Sequence, residues 1–477
     1  MDSKDLIKAA ILAALYLFVG PLLGLLIANR PKFQRVAFAA MCFMTISGLL
    51  GPGEWGFTLL DEPDYRGHAR GFHFYFNEVF AIALLVASKM DRKGAQKWFI
   101  PGLIFYLFYL GCSLLSIMNA PQPHYSWMSA FKCFKVILIF LASAVFLRGE
   151  GEVEFLLKTM SYTVGWETFV VLKEKYINKI YQVWGTFEHQ NSLSMYAGMI
   201  GMVLLAAGAG PKRKGSNLFI FGYICCAVIV QGSLSRAGLV IFALFSVVTL
   251  FFSFVDKFTK RRLVVTGCLA LVALIGVGWT AKTIIKRFND TGNTESKQTR
   301  IDLNIASRQM LHDYPTGIGW NNFALTINSP WHYGDVIDAT SRRHNEIVDK
   351  KHRKGIVESL YYLLLSETGY PGYVSFLLFI AYFMFLNLKA MWSFRTHFFG
   401  AVSIGILCGC GANYLQSLFE RVLTQPRNMM LWMILLGITA KFELWRRQKS
   451  KQQKTRSSTA QSVRSQAAPQ SETGIHA

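Results

Sequence analysis

Apolar runs of about 20 residues, each long enough to cross about 30 Å of hydrocarbon, alternate with short polar breaks along almost the whole chain. The pattern predicts roughly thirteen helical spans. They centre on Leu6–Ala28, Val36–Leu50, Phe74–Ser88, Phe99–Met118, Trp127–Leu147, Phe155–Leu172, Ser192–Ala209, Leu218–Gln231, Gly238–Phe254, Leu263–Thr280, Ser359–Leu388, Phe398–Leu418 and Met429–Phe442. The eleventh run is too long for one span, so its first part is expected at the surface, with the chain diving after Pro371. The fold class expected is an all-α polytopic membrane protein with roughly 12–14 transmembrane helices.

One long polar interval breaks the rhythm, from Ala281 to Val357. It holds twelve Lys or Arg, eight Asp or Glu, and four His. Within it, "TRIDLNIASRQMLHDYP" reads as an amphipathic helix, with Ile301, Ile305 and Leu311 on one face and Arg300, Asn304 and Arg308 on another. That helix should end before Pro315, and "PTGIGWNNF" should form turns. The chain therefore divides into N-terminal spans (1–280), a large loop (281–357), C-terminal spans (358–445) and a tail (446–477). The tail is basic and almost free of apolar residues, and is expected to be disordered, with its basic start at anionic lipid or serving as a topology anchor.

Composition agrees with the pattern: 52% of residues are hydrophobic, 16% are charged, and the mean hydropathy is +0.31. The net charge of +22 does not point to nucleic acid, because the basic residues sit between spans. Arg30, Lys32 and Arg35 form one cluster, Lys89 to Lys97 the next, then Lys212 to Lys214, Lys257 to Arg262, and Lys389 with Arg395. Thirteen spans place all of these on one side, the cytoplasm by the positive-inside bias, and place the large loop outside. All eight cysteines lie in apolar segments, so the large loop offers no disulfide framework and no thiolate metal site.

Against that bias, positive charge outside asks for a reason. Arg236 in "QGSLSRAGLV" sits where two spans meet with almost no loop. It is a candidate anion site, because a guanidinium grips phosphate through two parallel hydrogen bonds. An interfacial arginine that snorkels to water fits the same position. In "GTFEHQNSLSMYAG", His189 and Asn191 enter the next span as candidate substrate contacts, with Asn191 equally suited to cap the helix. Arg300 and Arg308 either face the same anion or form a solvated helix face. His344 and His352 lack metal-site spacing, no HExxH is present, and no phosphate-binding GxxxxGK[ST] occurs.

Four motifs follow in order: "GTFEHQN", "GSLSRAGLV", "HDYPTGIGWNNF" and "YYLLLSETGYPGY". This set, over roughly Gln182 to Phe379, resembles the O-antigen ligase and O-antigen polymerase family of bacterial inner-membrane glycosyltransferases, with an architecture similar to the GT-C class. The resemblance implies transfer of a glycan from an undecaprenyl-pyrophosphate carrier to an acceptor hydroxyl on lipid A-core or another carrier-linked glycan. It implies work at the outer face of the inner membrane, with no metal, nucleotide or other cofactor expected. Arg236, Arg300 and Arg308 become candidates to hold the pyrophosphate. Ligase-like members read His–Asn about nine residues before the Glu of the "ETG" motif; here those positions are Glu358 and Ser359. Glu358 is therefore the candidate base, with His344 as rival. An acid favoured by a helix N-terminus is the plain alternative for Glu358. Many members also carry Arg just before the "GTF" motif, where this chain has Gln182, Val183 and Trp184. The departures lean the expectation toward a polymerase or exopolysaccharide enzyme. A transporter or flippase of lipid-linked sugars is the competing class. It predicts charges scattered through several spans and repeat symmetry; Lys132, Lys135 and Glu78 lie in spans, but no repeat is visible.

Overall fold

The computed structural model describes residues 3–90 without 47, 52 and 54, residues 100–271, 278 and 285, residues 293–337 without 329, and residues 355–466; side chains of 3, 293–297 and 453–466 fall outside the description. Among the described residues the chain is all-α apart from one antiparallel hairpin. Helix α1 (Ser3–Ala14) passes through a π-helical turn (Leu15–Val19) into α2 (Gly20–Ile27). Then come α3 (Pro31–Phe43), strands β1 (Gly56–Leu59) and β2 (Phe72–Tyr75), α4 (Phe76–Met90), α5 (Leu103–Leu114), α6 (Pro123–Phe146) and α7 (Glu150–Leu172). They are followed by α8 (Gln190–Ala209), α9 (Ser216–Ser233), α10 (Arg236–Asp256), α11 (Asn293–Asp313), α12 (Leu360–Ser393), α13 (Phe398–Gln416) and α14 (Pro426–Gln466).

Among the described residues, seven helices are long and apolar enough to cross a membrane: α1–α2, α6, α8, α9, α10, α12 and α13. The protein is a multi-pass membrane protein. Helices also lie on the other expected spans, and the tenth begins as helix over 260–271. Helix α8 is the axis of the bundle, buried along almost its whole length. It meets α13 at close range, because a Cβ on Gly405 or Gly409 would lie 2.5 or 2.3 Å from the α8 backbone. Small residues of this kind let membrane helices touch without a hydrophobic driving force.

The short basic loops gather at one end of the bundle. There Arg35 pairs with Glu152 at 3.2 Å, His397 with Glu150 at 2.6 Å, and Arg262 with Asp256 at 2.9 Å. The hairpin, α11, the α7–α8 loop and the α13–α14 turn gather at the other end, called here the loop end. A small second core beneath α11 holds Leu303, Ala306, Met310, Phe323, Val357 and Leu363.

Four expectations can be set against the described residues. The buried residues of α11 are Leu303, Ala306, Met310 and the expected Leu311, while Ile301 and Ile305 are exposed, because the helix packs on the start of α12 through Ser307 Oγ to the Tyr362 carbonyl at 2.7 Å. The first part of α12 packs inside the protein, with Leu360, Leu363, Leu364 and Glu367 buried under α11 and the following loop, and it ends at the Gly369 break. Helix α14 continues into the first part of the tail as far as Gln466, in keeping with its Lys, Arg, Gln and Ala, which favour helix without an apolar face, while 467–477 lie outside the described residues. Lastly, His189 rather than Asn191 caps α8.

The kink in α12 has a local cause. Gly369 adopts φ 63, and a Cβ there would come within 2.3 Å of the Pro315 carbonyl. The freed backbone groups find partners in the turn that follows α11: Tyr370 N donates to Pro315 O at 2.9 Å, and Ile318 N donates to Ser366 O at 3.0 Å. The "ETG" and "PTGIGWNNF" motifs are thus one interlocked unit, as a break in a membrane helix requires.

Candidate active site

The loop before α8 is pulled into place by two acids of the preceding helix. Glu174 accepts from Trp184 N at 3.1 Å and from Gly185 N at 2.7 Å, while Glu167 accepts from Thr186 N and Thr186 Oγ1, both at 2.8 Å. Gly185 is needed here, with φ 60 and no room for a Cβ beside the Glu167 carboxylate. The clamp leaves His189 at the N-cap, its Nδ1 accepting from Asn191 N at 3.2 Å. Asn191 then lies in the first turn with its side chain on Glu420.

Glu420 and Arg421 occupy the turn between α13 and α14. Buried Asn428 ties this turn to α8, donating to Ser192 Oγ at 2.9 Å and to Val422 O at 3.0 Å. From the opposite side α11 brings Arg300, whose Nε contacts Glu358 just before α12 and whose Nη2 lies 3.6 Å from Glu420. Four separate parts of the chain therefore converge: α8, α11, the start of α12, and the α13–α14 turn.

The electrostatics follow from that crowding. Burial pushes the Glu420 carboxyl up to about 7, helped by the negative charge of Glu358; Arg300, the Asn191 hydrogen bond and Arg421 oppose the rise. Burial lowers Arg421, against the pull of Glu358, Glu367 and Glu420. His189 is also lowered by burial, so it is neutral near pH 7.

Behind Arg421 lies a cavity of about 30 Å³, lined by His68, Lys132, Trp320, Glu367, Thr424 and Trp432 among others. Lys132 Nζ donates to His68 O at 3.1 Å and Thr424 O at 3.2 Å, tying the hairpin loop to the Arg421 turn. Glu367 accepts from Phe323 N at 3.2 Å and lies 3.7 Å from His68 Nε2. The other charges noted in spans, Lys135 and Glu78, pair directly at 2.7 Å.

The candidates sort as follows. Arg300, Glu358, His189 and Asn191 come together in one cluster. Arg236 opens α10 at the same end; its neighbour Gly238 shares a small cavity with Ser194, Asn413 and Gln416, close to the Glu420 turn. Arg308 does not join the cluster: it hydrogen-bonds Tyr362 Oη at 2.5 Å and stacks over that ring. It sits two turns from Arg300, about 12 Å along the axis. His344 and His352 lie outside the described residues. Among the described residues, no three His, Cys, Asp or Glu side chains gather as a metal site.

Sequence reasoning missed Glu420 and Arg421. The one local signal was "LFERVLTQP", an adjacent acid and base directly after an apolar run, which equally marks an ordinary membrane boundary.

Residues 221–377 match the family model described as O-antigen ligase. The matched stretch runs from α9 beyond the α12 kink and carries Arg236, Arg300, Arg308, Glu358 and Glu367. No curated protein matches the chain. The family match and the apolar helices support a membrane glycosyl-transfer role of the O-antigen ligase and polymerase type.

Proposed function

We propose that the chain transfers a glycan from an undecaprenyl-pyrophosphate carrier to an acceptor hydroxyl at the outer face of the bacterial inner membrane. The loop end of the bundle faces the periplasm and the tail faces the cytoplasm. The observation that carries this reading is the meeting of two guanidinium groups, Arg300 and Arg421, with two carboxylates, Glu358 and Glu420, at the edge of the apolar bundle.

The chemistry needs those groups there. A lipid diphosphate lies at the membrane edge, with its isoprenoid in the bilayer and its glycan outside. As the acceptor oxygen bonds the anomeric carbon, the bond from that carbon to the diphosphate oxygen breaks, and the electron pair leaves with the diphosphate. Guanidinium groups already held in place stabilise that growing negative charge without reorganising. Glu358 takes the Nε of Arg300, and the guanidinium has two further amino groups to offer. Arg236, on the same end, is a third contact for the carrier, and His189 and Asn191 contact the glycan. The proton of the acceptor goes to a base, with the cluster carboxylates Glu358 and Glu420 and the rival His344 as candidates. The product is longer carrier-linked glycan in the polymerase form of the reaction, or glycosylated lipid A-core in the ligase form.

Purified protein in nanodiscs, given undecaprenyl-pyrophosphate oligosaccharide without nucleotide, should release free carrier diphosphate. A ladder of repeats on the carrier identifies polymerisation, and release that depends on lipid A-core identifies ligation. Movement of intact lipid-linked glycan across the bilayer without release would replace this reading with transport.

A further inference from the structure

We propose that Glu420 is the general base of the transfer and that Glu358 is a positioning residue that orients Arg300. The proposal rests on the glycan-transfer reading above and refines it.

Three described side chains in contact range of the Arg300 cluster could take a proton, and their contacts separate them. His189 accepts the Asn191 N–H through Nδ1 at 3.2 Å. A neutral imidazole has one acceptor nitrogen, so its Nε2 carries the proton and can only donate. His189 thus serves as a donor to the glycan and not as its base. Glu358 is spent on Arg300, whose Nε it contacts directly. Removing that carboxylate's charge would release the guanidinium that holds the leaving group.

Glu420 remains. It lies on the far side of the same guanidinium at 3.6 Å, with the Asn191 amide holding its carboxyl. The groups that face it are Arg300 from α11, Glu358 from the start of α12, Asn191 from α8 and Arg421 of its own turn; Glu367 acts on it only through Arg421. Burial and the Glu358 charge place its titration near neutrality, where a base is both unprotonated and strong enough to act. The step balances. The acceptor O–H proton passes to a Glu420 oxygen, the acceptor oxygen bonds the anomeric carbon, and the diphosphate leaves with the electron pair.

The sign of the pH effect is fixed by this arrangement. Carrier release should rise with pH and level off above about 7, as Glu420 loses its proton. In Glu358→Gln the neighbouring negative charge is gone, so the acid limb should move to lower pH while turnover persists at a reduced level. Glu420→Gln keeps the shape and the acceptor for Asn191. It should lose about 10²–10⁴-fold in kcat, with the acid limb abolished and the donor KM little changed. Glu420→Ala should regain turnover in added formate, which supplies a diffusible carboxylate, whereas Glu358→Ala should not.

The experiment is the pH profile of carrier diphosphate release for wild type, Glu358→Gln, Glu420→Gln and the two alanine variants in nanodiscs. Wild-type turnover and an unchanged acid limb in Glu420→Gln would overturn the assignment and leave the glycan-transfer reading standing. So would loss of all turnover in Glu358→Gln alongside formate rescue of Glu358→Ala. An unshifted limb in Glu358→Gln decides against the proposal even if the Glu420 variants do not fold. Absence of carrier release by the wild type removes the glycan-transfer reading itself, and the assignment with it.

Discussion

The two ends of the bundle spend their charges differently. At the basic end acids meet cations directly: Glu152 meets Arg35, Asp256 meets Arg262, and Glu443 meets Arg446 and Arg447 of its own helix at 2.7 Å. At the loop end charges are shared rather than matched. Arg300 lies between two carboxylates, Arg421 is drawn by three, and buried atoms of His68 and Glu367 lack a hydrogen-bond partner among the described residues. An exposed matched pair such as Arg35 with Glu152 holds loops together and costs little to lose. Clusters of like and unlike charge in partial burial store electrostatic potential that a charged ligand can use.

The comparison breaks most sharply on the arginines. Arg300→Ala or Arg421→Ala should lower carrier release by about 10²–10³-fold, the scale of one lost transition-state donor. Arg35→Ala at the basic end should leave release within about threefold and stability within about 1 kcal/mol, as for exposed ion pairs. Equal losses at both ends, measured in the same nanodisc assay, would remove the distinction.

The next effect in size is on stability at the kink. Gly369→Ala places a Cβ 2.3 Å from the Pro315 carbonyl in a left-handed backbone, and should cost about 3 kcal/mol or more. A lowered Tm in detergent checks this, and a Tm equal to wild type would show that the turn relaxes freely.

Asn428→Ala comes third. It unties the α13–α14 turn from Ser192 and leaves buried acceptors without a donor, at about 1–3 kcal/mol. Because Asn428 touches both the Asn191 and the Glu420 segments, its loss should also lower kcat more than a matched destabilisation elsewhere in α14. The smallest effect is expected at Arg308. Its contact with Tyr362 is exposed and is worth about 0.5–1 kcal/mol. Arg308→Ala should change release by no more than about threefold, and a loss like that of Arg300→Ala would place Arg308 on the carrier after all.

Much of this was legible along the chain. Helices occupy the expected spans, α11 stops at Asp313 before Pro315, and "GTFEHQN" does run into α8. The choice of cap was not legible, because His and Asn two residues apart both suit a helix start, and only the clamp from Glu167 and Glu174 decides which of them precedes the first turn. The face of α11 was misread for a related reason. Ile301 and Ile305 form an apolar stripe by periodicity, but the surface offered by α12 selects the stripe of Leu303, Ala306 and Met310.

By itself the sequence determined the membrane character, the helix positions, the one-sided distribution of basic loops and the break at Gly369 and Pro371. Those features depend on local composition read against a bilayer of known thickness, so a single strand of letters contains them. Only the tertiary structure decided that Arg300 reaches Glu420 across 120 positions of chain, that Arg421 sits beside them, and that Arg308 turns away to Tyr362. Such meetings depend on how the helices pack, and small residues such as Gly405 and Gly409 set that packing without any mark on the charged residues they bring together.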